Sequence, residues 1–137
     1  MNRRRTLAMV GTAAAAIGFI GSSLGEDMQL EVNESSLQKL RALRAEAKFT
    51  DLPGLPAEEE RRRMEPLFNA LLERIIQGIS SNPRKSWLIK AMEPTVQEFY
   101  LEDSEVRERC VDYLERILGI FGIKSTNGAF EKYFLGL

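Results

Sequence analysis

The chain has 137 residues, with 19 Lys and Arg against 20 Asp and Glu, one cysteine and no histidine. Such a length suits one domain around one core. The missing histidine excludes Ser–His–Asp hydrolysis and the His-bearing zinc and di-iron sites, and a single cysteine excludes both an internal disulfide and a Cys-rich metal site.

The start, MNRRR, is basic, and the stretch after it, TLAMVGTAAAAIGFIG, is weakly apolar and uncharged. Ser23 and Gly25 then place small residues before Glu26. This is the three-part layout of a secretory signal peptide, with cleavage expected after Gly25. The apolar run, residues 6–21, falls short of the roughly 20 residues of a membrane span, so an uncleaved anchor is the lesser alternative. No cysteine stands at the cleavage region, so lipid anchoring is not indicated. Arg4-Arg5-Thr6-Leu7 fits a loose twin-arginine signal, while a plain basic start would suit the general export route. The protein is therefore expected to be exported, to the periplasm or beyond, with no stable membrane anchor after cleavage. The first 25 residues hold three arginines and no acid, which leaves 16 basic and 20 acidic residues in the remainder. That balance disfavours nucleic acid as a partner.

Residues 26–34 read as a short polar lead-in, and residues 35–137 as one helical domain. Ser35 or Ser36 can cap a first helix whose apolar positions are Leu37, Leu40, Leu43 and Ala47. Pro53, Gly54 and Pro56 break it. Pro56 suits the first turn of a second helix, and Glu58, Glu59 and Glu60 suit the positive end of its dipole. Met64, Leu67, Phe68, Leu71, Leu72, Ile75, Ile76 and Ile79 form the cleanest stripe in the chain. Pro66 is expected to kink or restart this helix.

Asn82-Pro83 signals a third helix, with Trp87, Leu88, Ala91, Met92, Val96, Phe99 and Tyr100 as its stripe and a bend at Pro94. Asp103 or Ser104 can cap a fourth, with Val106, Cys110, Tyr113, Leu114, Ile117, Leu118 and Phe121 on one face and Gly122 closing it. A short last helix carrying Phe130, Tyr133, Phe134 and Leu137 would complete the core. The fold class is all-α: a compact bundle of about four main helices plus a short C-terminal one.

Few residues offer chemistry. Cys110 lies four residues after Val106 and three before Tyr113, so it points with the apolar stripe and behaves as a small hydrophobe. Ser36-Leu-Gln-Lys39 matches an S-x-x-K spacing, but a capped, solvated helix start explains it better. Glu102, Asp103 and Glu105 form an acidic cluster that could hold a cation or act as a carboxylate pair. Acids at a helix start are expected for the dipole alone. Three Glu followed by three Arg, residues 58–63, could dock a partner but fit a solvated face with internal pairs. Trp87, Tyr100, Tyr113 and Tyr133 could wall a ligand pocket, though aromatic residues on apolar stripes more often belong to a core. No phosphate loop or calcium loop occurs, and no cofactor is expected.

The stretch DSEVRERCVDYLERILGIFGI, residues 103–123, with Ser125-Thr126-Asn127-Gly128 and an aromatic end, resembles an uncharacterised family of small bacterial helical domains of unknown function. The segments EPLFN and NPRKS are similar more loosely. The resemblance implies a compact helical fold over residues 35–137 and supplies no activity. It suggests that Arg107, Glu108, Arg109 and Cys110 form a structural motif in which ion pairs fix the fourth helix to its neighbours. The sequence thus points to a non-enzymatic exported domain that binds another envelope protein, of inhibitor, immunity or accessory type. The alternative is a small ligand-binding or carboxylate-dependent hydrolase domain built on Glu102, Asp103 or Glu105.

Overall fold

The computed structural model describes residues 27–50, 52, 58–133 and 137, apart from the side chains of Glu60 and Arg61. The expected signal peptide, and the turn residues Pro53, Gly54 and Pro56, lie outside the described residues. Four helices are described: α1 (Glu34–Ala45), α2 (Glu58–Gly78), α3 (Lys85–Tyr100) and α4 (Ser104–Ile120). They form a ring in which α1 packs on α2 and α4, and α3 packs on α2 and α4. The all-α bundle expected from the stripes is the fold observed. No described helix is long and apolar enough to cross a membrane.

The helix ends follow local chemistry. Asn33, not Ser35 or Ser36, is the N-cap of α1. Its Oδ1 accepts from the Ser36 N–H at 3.0 Å, and the Ser36 hydroxyl accepts from the Asn33 N–H at 2.9 Å. Two otherwise orphaned donors are thereby satisfied at once. Asp103 caps α4 by accepting from the Val106 N–H at 3.2 Å. At the other end of α4, Gly122 adopts φ 71°, the left-handed region where a side chain would be strained. The Ile123 N–H then reaches the Leu118 carbonyl and the Gly122 N–H reaches that of Gly119, while Ile123 is buried. This is a Schellman closure.

Neither proline interrupts its helix, so α2 does not restart near Pro66. Helical backbone runs unbroken through Pro66 in α2 and Pro94 in α3. Each ring removes one helical donor, and the buried faces on either side outweigh that loss. Both prolines are exposed. The closing helix is realised as a succession of turns among the described residues: Ala129 N–H to Thr126, Glu131 to Gly128, and Tyr133 to Phe130. Phe130 and Leu137 of this stretch are buried and the Thr126 hydroxyl donates to the Leu137 carbonyl at 2.7 Å, while Phe134 lies outside the described residues.

The lead-in is built into the fold. Leu30 is buried in the core. Its N–H donates to the Pro83 carbonyl at 2.7 Å, and the Lys85 N–H donates to Met28 at 2.9 Å, making an isolated antiparallel bridge between Gln29 and Arg84. Asp27 accepts from the Ser86 N–H at 2.9 Å and from its hydroxyl at 2.6 Å. Arg84, the N-cap residue of α3, offers no side-chain cap of its own. An acid from far along the chain therefore does the capping.

At the centre, four aromatic rings meet. Phe49 stacks on Phe99 at 5.4 Å and stands edge-on to Tyr113 at 5.2 Å, and Phe68 contacts Phe99 and Tyr113 at 6.4 and 5.3 Å. The rings come from the segment after α1 and from α2, α3 and α4 in turn. Phe49 has φ 60°, and its N–H donates to the Tyr113 hydroxyl at 3.0 Å. Beside it Lys48 is fully buried, its ammonium donating to the carbonyls of Arg44 and Glu46 at 3.1 and 2.9 Å. Burial holds this ammonium below the usual lysine pKa.

Two outcomes follow from these contacts. Tyr113→Phe strands the buried Phe49 N–H and should cost about 1–3 kcal/mol in urea unfolding; an unchanged midpoint would remove Tyr113 from that role. The second concerns acid. Hydrogen bonds from Ser86 and from Arg116 hold the Asp27 and Glu46 carboxyls below their ordinary values. A lowered carboxyl pKa contributes stability that is complete above the ordinary carboxylate range of about 4 and is lost as pH falls through the folded value. Asp27→Asn with Glu46→Gln should therefore flatten the loss of melting temperature on acidification. An acid limb as steep as wild type would refute the assignment.

Candidate functional site

The acidic cluster occupies the turn between α3 and α4. Helix α3 ends when Leu101 takes φ −83° and ψ −5°, its N–H bonding to the carbonyls of Glu98 and Phe99. Asp103 then restarts the helix as a cap. Two residues of turn leave Leu101 with no helix face to join, and its side chain projects into solvent: it is 83% exposed. Tyr100 beside it is 43% exposed.

This turn is rigidly held. Both carboxylate oxygens of Glu102 accept from Arg63 Nη2 at 3.0 Å, tying the turn to the start of α2. Arg107 Nη1 donates to the Glu102 carbonyl at 2.7 Å, and its guanidinium lies 6.0 Å from the centre of the Tyr100 ring. Tyr100 meets Tyr133 edge-to-face at 5.5 Å, and Gln97 donates to the Tyr133 hydroxyl at 3.3 Å. An arginine over an aromatic face adds roughly 0.5–1 kcal/mol at an exposed site.

The three acids have separate tasks. Glu102 is an ion-pair partner, Asp103 is a helix cap, and Glu105 sits exposed in the first turn of α4. None of them lines the four grooves described on the surface. Of the motif residues, Arg107 fastens α4 to the preceding turn, Glu108 is exposed, and Arg109 approaches Asp112 of the same helix at 3.7 Å. Cys110 is completely buried, and burial pushes its thiol well above the usual range. It is an apolar tooth of the α4 stripe.

The four aromatic residues do not converge on one pocket. Tyr113 belongs to the core. Tyr100 and Tyr133 form a surface pair. Trp87 packs against α2 at Gly78, where a Cβ would come within 2.5 Å of the indole. Only glycine allows that approach.

Two features escaped the sequence reading. Leu101 lies outside both helical stripes, and its isolation between Tyr100 and the Asp103 cap was the available signal. Asn69 sits on the groove between α1 and α2, where its buried Oδ1 accepts no hydrogen bond. Nothing in the sequence separates it from an ordinary solvated asparagine.

The thiol gives a direct check on this layout. Cys110 should stay unmodified by an aromatic disulfide reagent in the native protein and react at once in denaturant, because only a thiolate attacks. Rapid native labelling would show an accessible thiol and reopen a chemical role.

No curated protein and no solved structure matches the chain. A family model described as a domain of unknown function, DUF4844, matches residues 31–137. Its span begins one residue after the buried Leu30 and takes in all four helices. The chain belongs to the DUF4844 family, a domain of unknown function.

Proposed function

We propose that this is an exported, non-enzymatic helical domain that binds another protein, as an inhibitor, an immunity-type protein or an envelope accessory. Export rests on the basic, apolar and small-residue layout of residues 1–25. The observation that carries the binding reading is the exposed Tyr100–Leu101 pair on a turn that Arg63, Arg107 and Tyr133 hold in place. Glu98, Asp103 and Glu105 flank it in sequence and are all exposed. An apolar centre with a charged rim is the anatomy of a protein interface, and tyrosine is among the residues that anchor one. The acidic rim selects a basic partner and speeds its approach. Fixing the turn in advance lowers the ordering cost of association.

The carboxylate-hydrolase alternative draws less support, because Glu102 and Asp103 already serve an ion pair and a cap. Catalytic carboxylates stand free toward a cleft that also holds the substrate.

The test is affinity capture of the tagged protein from its native envelope, run beside Leu101→Asp. The substitution is at an exposed position and should leave stability within about 0.5 kcal/mol. A stoichiometric protein retained by wild type and weakened at least about tenfold by Leu101→Asp, a loss of roughly 1.4 kcal/mol, would establish the surface. Equal retention by both would rule this turn out. A co-purifying small molecule or metal without protein would favour the alternative, with Glu102, Asp103 and Glu105 the residues to replace.

A further inference from the structure

The turn after α4 carries chemistry of its own. Thr126, Asn127, Gly128 and Ala129 form it, closed by the Ala129 N–H donating to the Thr126 carbonyl at 3.3 Å. The central pair, Asn127 and Gly128, has φ 58° and 81°. Glycine and asparagine are the residues that accept this left-handed backbone at least cost. Both are exposed, whereas Thr126 before them is buried. The Asn127 carboxamide is also engaged: its Oδ1 accepts from Lys85 Nζ at 3.1 Å, which ties the turn to the start of α3.

An asparagine can react with its own backbone when the nitrogen of the next residue attacks the side-chain Cγ and closes a five-membered ring. The two groups are already joined through the chain, so no encounter is needed. Several conditions for the attack meet at Asn127. Gly128 has no side chain to shield its nitrogen. The Gly128 N–H donates to no backbone carbonyl among the described residues, so the attack gives up no such bond. Lys85 Nζ sits on the oxygen that becomes negative as the ring closes, and a donor aimed at developing charge lowers the barrier. The other described asparagines lack these conditions. Asn82 precedes Pro83, whose nitrogen has no proton to lose. Asn69 lies within α2, where the backbone is held in the helix. The Asn33 Oδ1 is taken by the Ser36 N–H, and Glu34 follows it with a full side chain.

We propose that Asn127 is a site of spontaneous self-modification, assisted by Lys85. The Gly128 nitrogen bonds to Asn127 Cγ and gives up its proton. The Cγ–Nδ2 bond breaks, and ammonia leaves with that proton. Water then opens the succinimide at either carbonyl. One opening gives aspartate, and the other gives the β-linked isomer, with one extra carbon in the main chain. Nothing is oxidised or reduced, and water is the only co-reactant. The aspartate product turns the link to Lys85 from a hydrogen bond into an ion pair. The β-linked product lengthens the main chain beside Thr126, whose hydroxyl holds the Leu137 carbonyl. The site shares no residue with the Tyr100–Leu101 turn and does not rest on the binding role of that turn.

The test incubates the purified protein in mildly alkaline buffer at physiological temperature and follows its peptides by mass spectrometry, with an isoaspartyl methyltransferase to count the β-linked product. The mass gain of a carboxamide becoming a carboxylate is expected at Asn127 ahead of Asn33, Asn69 and Asn82, and the methyltransferase should label part of it. Lys85→Met keeps the stem of the side chain and removes the donor. It should slow the native reaction at least about threefold, less than the hundredfold or so that a buried oxyanion donor contributes, and leave the rate in urea unchanged. A bond that only braced the turn would act the other way, since its removal would free the turn and speed the reaction. The proposal is overturned by an unmodified Asn127, by modification led by another asparagine, or by aspartate formed without the β-linked isomer. It is equally overturned if native Lys85→Met reacts as fast as wild type or faster, or is slowed as much in urea as in the native state.

Discussion

The structure turns on Phe49. Its ring is completely buried between Phe99 and Tyr113, and its backbone is held at φ 60° by the hydrogen bond to the Tyr113 hydroxyl. A bulky residue in the left-handed region carries strain of order 1–3 kcal/mol, and it persists only where its surroundings over-determine it. Here the surroundings are rings from α2, α3 and α4. Burying a phenylalanine contributes roughly 1.5–3 kcal/mol, and each well-placed ring pair adds about 0.5–1.5 kcal/mol. The packing gain exceeds the strain. The chain leaving α1 is thereby pulled inward, and the ring of four helices closes around it.

Polar fastenings then fix how the helices meet. Lys48 turns a helix end into an anchor: its buried ammonium collects carbonyls that would otherwise lack donors, and the Glu65 side chain holds its backbone N–H. A buried charge is tolerated only with such partners. Glu46 and Arg116 form two parallel hydrogen bonds, at 3.0 and 2.6 Å, linking the end of α1 to α4. Arg74 reaches from α2 to the Ala91 carbonyl and the Thr95 hydroxyl of α3. Each fastening joins neighbours in the ring, and apolar stripes alone would permit the helices to slide. The same economy explains the acidic cluster. Once Glu102 is paired and Asp103 is a cap, the turn is stiff enough to display Tyr100 and Leu101 as a fixed surface.

At the α3–α4 turn, Tyr100 and Leu101 expose apolar area beside the exposed charges of Glu98, Asp103 and Glu105. The ion pair of Arg63 with Glu102 and the hydrogen bond from Arg107, rather than a core contact, fix the backbone that carries these two side chains.

The sequence by itself determined the class of fold, because apolar residues at three- and four-residue spacing must face a common core whatever the detailed packing. It also determined that Cys110 is a stripe residue and that Gly122 closes α4, and it narrowed the cap of that helix to Asp103 or Ser104, since spacing and local hydrogen bonding decide these. Tertiary structure decided the rest. Asn33 replaced Ser35 and Ser36 as the cap of α1, and Asp27 became the cap of α3 because the lead-in folds back against Pro83 and Lys85. Pro66 and Pro94 stayed within helices because the buried faces outweigh one missing bond each. Lys48 went to the interior and Leu101 to the surface, each against its ordinary preference. Hydropathy is a property of the residue, but burial depends on which segments arrive beside it, and those segments are distant in the chain.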